Sequence, residues 1–358
     1  MYKRQVLADN TGTSIISIEL ATIIAAVFII AYTMLAGLLS VAYTDAANSI
    51  IMTLALVISL PILWIKAGSW SGMETAFAAM NKSQHMQFGG VYTTMDIINF
   101  CLPPFLLVIG DANMYQRFSA SKDVQSARYS TTILVFAVLF IELLIIASAW
   151  VSSSMIPEAE VGKHVLIYAA HQFLPTFLGA IMLTTIVGII ISTADSFLLV
   201  PANTLIRDIY LNYINPQASE KNIVRLSRLL VLLLGIIAYI VSIGFSRSAG
   251  FFERALYAYT IYGAAITPAL VAALFWKGAT KEGAVASIIC GTLVTLFWKE
   301  LPGLWFWLPT EWFISLDEVL PAISGSLLAL IGVSYLTQKA DPGTDSYTHL
   351  TLPTILLV

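Results

Sequence analysis

The run Phe173–Val200, FLPTFLGAIMLTTIVGIIISTADSFLLV, decides what kind of chain this is. It is long enough to cross a bilayer as a helix, and Asp195 is its one formal charge. Its apolar residues are continuous rather than alternating, which excludes a barrel strand. In lipid the backbone must then pair within a helix. The same run carries Ser192-Thr193-Ala194-Asp195-Ser196, four oxygen-bearing side chains in five residues, with Thr184-Thr185 two turns earlier. One or two hydroxyls in a membrane helix bond back to their own carbonyls and mean little. An acid among them costs about 2.5–3.5 kcal/mol at mid-membrane, so Asp195 calls for a partner or a cation. Hydroxyls, carboxylates and carbonyls are what a small hard cation prefers.

Apolar blocks of this kind recur along the chain and give nine expected spans: Ile15–Leu39, Ala46–Ile65, Asp96–Ile109, Ala127–Val151, Phe173–Val200, Val224–Phe245, Ala255–Trp276, Gly283–Trp298 and Leu320–Leu336. Charged residues make up 11 % of the 358 and hydrophobic ones 58 %, against about a quarter charged in a soluble domain. The fold class is all-α integral membrane, with the lipid bilayer as its surroundings. A net charge of −3, thinly spread, gives no reason to expect a nucleic-acid partner. Cys101 and Cys290 lie in apolar blocks, and His85, His164, His171 and His349 in polar connections, so neither a disulfide framework nor a thiolate or histidine metal site is indicated. HExxH, GxSxG and phosphate-loop motifs are absent, so the chain does not read as an enzyme. Nothing in the sequence fixes an oligomeric state.

Basic residues orient the spans. One set of connections carries Arg117, Lys122, Arg128, Arg207, Lys221, Arg225, Arg228, Lys277, Lys281 and Lys339. The other carries the smaller set Lys66, Lys82, Lys163, Arg247, Arg254 and Lys299, so the first set is assigned to the cytoplasm. The start of the chain then falls outside with no export signal before it, and earlier helices are expected ahead of this sequence. Met1–Gln5 and Ser346–Val358 read as adapter-derived sequence foreign to the fold. The expected organisation is an N-terminal segment 1–12, a transmembrane domain 13–340 and a tail 341–358.

Span three joins Pro103-Pro104 to Gly110-Asp111-Ala112-Asn113. Two readings stand side by side: a helix break at membrane depth lining a cavity, or a proline kink. Asp45, in Ala42-Tyr43-Thr44-Asp45, closes the short turn between spans one and two, and serves as a helix cap, an ion ligand or both. Span seven carries Tyr257, Tyr259, Thr260 and Tyr262 ahead of Gly263, Thr267 and Pro268. Tyr259 and Tyr262 share a face, suited to a solute cavity or to an interfacial aromatic belt.

At these residues a family comes into view. Ile191–Val200 followed by Arg207-Asp208-Ile209-Tyr210 resembles the signature of the sodium:solute symporters. Tyr115–Lys122 with Ala127-Arg128 is similar to that family's loop after its broken sixth core helix, and Tyr43-Thr44-Asp45 to the start of its fifth. The resemblance runs from about residue 13 to 340. It implies part of a LeuT-type inverted-repeat fold, core helices four to ten plus two peripheral helices. It implies sodium as the coupling ion, bound by the carbonyl of Ile189 and the hydroxyls of Ser192 and Thr193. A second sodium would use Asp45, Ser192, Asp195 and Ser196. A small polar solute would meet Asp111, Asn113, Tyr259 and Tyr262. Sugar-transporting members carry an amide where Asp111 stands and an aromatic gate where Asn113 stands, which speaks against a sugar. The expected activity is sodium-coupled symport by alternating access. The rival from another class is a symporter-like input module of a sensor protein, and a polytopic membrane enzyme comes third.

Overall fold

The computed structural model describes residues 17–90, 92–157, 164–245, 251–298 and 316–338. Both termini assigned above to foreign sequence, with Lys163, Arg247, Lys299, Lys339 and His349, lie outside the described residues. Among the described residues seven helices are long and apolar enough to cross a membrane. Of the nine spans expected, two fall short of that length. The first is an apolar helix only over Leu20–Leu35, and the eighth is a 17-residue helix, Lys281–Phe297. The chain divides into two compact units, Met1–Gly90 with Arg128–Gly244, and Val91–Ala127 with Phe245–Val358.

The first unit opens on α1 (Ile18–Lys66), whose first turn is capped by the Ser17 side chain accepting from Leu20 N. A straight helix would set Tyr32 and Thr44 about 18 Å apart along its axis, yet their hydroxyls are hydrogen-bonded at 2.8 Å. The helix is therefore bent sharply between them, into a first limb with Leu20–Leu35 and a second with Ser40–Lys66. The turn expected at Ala42–Asp45 is not there. Helical structure runs through Asp45, whose carbonyl accepts from Ser49 Oγ as in any helix interior, so Asp45 is no cap. The chain next turns at Gly68, with φ of 77°, a conformation that costs glycine nothing. Two short helices follow that the apolar pattern did not separate from connections: α2 (Ser69–Ala79) here, and α6 (Val165–Gln172) later in the chain.

In chain order, α3 (Thr94–Gly110) and α4 (Ala112–Ser119) belong to the second unit. The first unit resumes with α5 (Val124–Ser153), α7 (Thr176–Thr204) and α8 (Glu220–Phe245). The span expected to end at Val200 continues past Pro201 and on as π-helix over Leu205–Ile214, so Arg207 and Asp208 sit on helix rather than in a loop.

Two apolar clusters hold this unit together. Leu56 and Leu63 of the second limb meet Leu178 and Met182 of α7, Met73 and Phe77 of α2, and Ala169 and Ala170 of α6. Nearer the bend, Val41 packs with Leu198, Leu199 and Ala202 of α7 and Val231 of α8. Gly188 of α7 lets the Asn48 amide come so close that a Cβ would lie 3.0 Å from it. Such approaches suit helices in lipid, where packing rather than water drives association. The outward side of α5 shows Ile133, Phe136 and Leu143 each about two thirds exposed. An apolar face of that extent marks a surface for lipid or for another protein.

The second unit contains α3, α4, α9 (Phe251–Phe275), α10 (Lys281–Phe297) and α11 (Val319–Thr337). Small residues bring its backbones together. A Cβ on Gly263 of α9 would stand 2.7 Å from Leu106 Cβ of α3, and one on Gly291 of α10 would stand 2.8 Å from the Ala264 carbonyl. Hydroxyl pairs bind α10 to α11: Ser287 to Ser326 at 2.8 Å, and Thr280, just before α10, to Thr337 at 2.6 Å.

Candidate functional site

In the first unit the chemistry gathers on the middle of α7. Ile189, Ser192, Thr193 and Ser196 fall within about 100° of one another around the helix. Thr193 Oγ1 donates to the Ile189 carbonyl at 2.9 Å, which brings two of the expected ligand oxygens side by side. The Thr193 oxygen keeps its lone pairs after that bond. Thr193 is exposed and Ile189 is 38 % exposed.

Asp195 points elsewhere. It is 1 % exposed, and its Oδ1 accepts a hydrogen bond from Thr33 Oγ1 on the first limb of α1. Thr33 is equally buried, at 1 %. Asp45, half-buried on the second limb, lies within electrostatic range of Asp195. The structure thus brings Asp45 and Asp195 into one neighbourhood although the turn that was to deliver Asp45 is absent. Sequence reasoning did not find Thr33. Its partner is 162 positions away, and a lone threonine in an apolar helix is usually bonded only to its own backbone.

In the second unit span three does break, and at Asp111 rather than at the prolines. Pro103 and Pro104 lie inside α3, whereas Asp111 takes an extended conformation, φ −72° and ψ 108°, between α3 and α4. A break inside the membrane exposes carbonyls of one half-helix and amides of the next, and both need partners. Neighbouring side chains supply them. The Ile109 carbonyl accepts from the Tyr115 hydroxyl at 2.9 Å, and the Leu106 carbonyl, within α3, additionally accepts from Thr267 Oγ1 of α9 at 2.6 Å. The amide of Ala112 donates to the Tyr262 hydroxyl of α9 at 3.2 Å. Asp111 caps α4 by accepting from the Asn113 amide at 3.0 Å and from its side-chain Nδ2 at 2.9 Å. Asp111, Asn113 and Tyr262 therefore meet at the break. Tyr259 sits one turn earlier on α9, half-buried, with no hydrogen bond to the break among the described residues.

An all-helical, multi-pass membrane protein with a broken helix satisfied by a neighbouring helix, and an acid buried in a spanning helix, is built as a secondary transporter is built. The sequence profile of the sodium:solute symporter family matches residues 12–291, and the chain belongs to that family. It is 27 % identical over 347 residues to a sodium/proline symporter of Haemophilus influenzae, covering 92 % of this chain and 66 % of that protein. It is 27 % identical to the osmoregulated proline transporter OpuE of Bacillus subtilis (89 % and 63 % covered) and 24 % to a sodium/proline symporter of Escherichia coli (91 % and 65 %). The chain thus spans about two thirds of the length of these relatives. A solved structure of a Na+-coupled sialic acid symporter, in a substrate-bound outward-open state, superposes with a TM-score of 0.64 at 14 % identity. That match covers 89 % of this chain and 67 % of the other, and it shows the fold as LeuT-type. Family and relatives are transporters, which removes the enzyme reading and gives the sensor-module reading no support.

Proposed function

We propose that the complete protein couples inward flow of sodium to uptake of a small polar solute by alternating access. The observation that carries this is the oxygen cluster on α7: the Ile189 carbonyl beside the Thr193 hydroxyl, with Asp195 buried a turn away in a membrane-spanning helix. A buried carboxylate in hydrocarbon is costly unless a cation visits it. One charge crossing 100 mV releases about 2.3 kcal/mol, enough for each sodium to drive accumulation. On this reading Ile189, Ser192 and Thr193 hold one sodium. Asp45, Asp195, Ser192 and Ser196 hold a second, and the break at Asp111–Asn113 with Tyr262 lines the solute cavity.

Among solutes, proline is the first to test, because the relatives are proline symporters. At the break Asp111 and Asn113 offer a carboxylate and an amide rather than a sugar site's aromatic gate. The test is the sodium dependence of proline uptake in Thr193→Ala. Losing one oxygen from a charged centre costs about 1.5–3 kcal/mol, so half-maximal uptake should need roughly ten- to a hundredfold more sodium. An unchanged sodium requirement would remove Thr193 from the ion site.

A further inference from the structure

Thr33 has one proton and two acceptors within reach. Its Oγ1 lies 2.8 Å from the Ile29 carbonyl on its own helix, and it also donates to Asp195 Oδ1 across the gap to α7. A threonine hydroxyl carries one O–H and two lone pairs, so it serves one of these acceptors fully at a time. The Ile29 bond is the ordinary resting place for a helical threonine. The Asp195 bond is the unusual one, and it joins the first limb of α1 to the middle of α7. Both residues are 1 % exposed, so bulk water cannot stand in for either partner.

We infer that Thr33 is a positioning residue for a sodium ion held at Asp195, turning its hydroxyl between the carboxylate and the Ile29 carbonyl as the ion leaves and arrives. This rests on the reading of Asp195 as an ion ligand given above. Without the ion, the carboxylate needs a donor, because an unpartnered buried charge is costly, and Thr33 supplies it. When a cation joins the carboxylate, an O–H aimed at the same place is repelled by it. The proton then swings to Ile29, already at bonding distance, and a Thr33 lone pair faces the ion. The exchange needs one hydroxyl rotation and no backbone movement. Asp45, within electrostatic range of Asp195, adds negative potential that favours the cation-bound arrangement. The first limb of α1, to which the sequence assigned no role, thereby senses the ion on α7.

The test uses the complete protein, purified in detergent. Its melting temperature is measured in sodium chloride and in choline chloride at equal ionic strength, because a ligand that binds the folded state raises it. The wild-type chain should melt higher in sodium. Thr33→Ser, which keeps the hydroxyl, should retain that shift. Thr33→Val, which keeps the shape, should require at least roughly tenfold more sodium for the same shift, as expected for one lost partner of a charged group. If Thr33→Val does not fold, Thr33→Cys replaces it, with a soft sulfur that a hard cation disfavours, and the same loss is expected. Either variant melting lower by the same amount in both salts, with the sodium shift intact, would reduce Thr33 to a helix tie and overturn the inference. Tighter sodium binding in the variant would also overturn it, marking Thr33 as a competitor of the ion. A wild-type chain with no sodium shift would instead defeat the ion reading of Asp195 itself.

Discussion

At the scale of single residues, α7 keeps two kinds of oxygen apart. Thr193 and the Ile189 carbonyl share an accessible face, whereas Asp195 is buried and tied to Thr33. Substitutions should therefore separate two effects. Ser192→Ala should raise the sodium requirement of uptake, and solute affinity should fall in step, because binding linkage is reciprocal. Asp195→Asn keeps the shape and removes the charge. It should lower the sodium cooperativity of uptake, measured as the slope of rate against sodium at fixed solute. If Asp195 only pairs helices, protein yield should fall while the slope of the surviving activity stays as in wild type. Ser192, Thr193 and Asp195 were legible in the sequence because oxygen-rich side chains stand out in an apolar helix. Thr33 was not, since only the fold reveals a partner so far along the chain.

At the scale of elements, the break between α3 and α4 is the feature on which the solute reading depends. Gly110 is buried where a Cβ would collide with Thr267 Oγ1, which donates to the Leu106 carbonyl. Gly110→Ala should therefore displace Thr267 and lower stability by about 1–3 kcal/mol. Thr267→Val removes a hydrogen bond from α9 to α3 and should cost about 0.5–1.5 kcal/mol. Thermal unfolding of the purified chain checks both, and unaltered melting would mean that the break is satisfied by other means. From sequence the break and a proline kink stood level. Proline removes a donor wherever it stands, but only Asp111 left helical geometry, capped by its own side chain and met by Tyr262 and Thr267 from α9. The bend in α1 was misplaced for a related reason. Tyr43-Thr44-Asp45 carries turn-like polar residues, yet Thr44 spends its hydroxyl on helical carbonyls and on Tyr32, and the helix passes through.

At the scale of the whole molecule, apolar blocks made the spanning helices legible, while α2 and α6 were missed because short helices lack that signature. Orientation rests on the basic residues, and it has its own check. If the connection after α7 faces the cytoplasm, a cysteine at Asn215, the first residue beyond the π-helical turn, should resist an impermeant thiol reagent applied to intact cells. It should label once the membrane is opened. Ready labelling from outside would reverse the assigned topology.

Sodium coupling is tested by the accumulation of labelled proline, alongside sugars and carboxylates, in vesicles containing the complete protein under an imposed sodium gradient. A small polar solute should accumulate above its external concentration. That accumulation should collapse when a sodium ionophore dissipates the gradient, and it should be absent when choline replaces sodium. Uptake that proceeds equally without sodium, or survives loss of the gradient, would contradict sodium coupling.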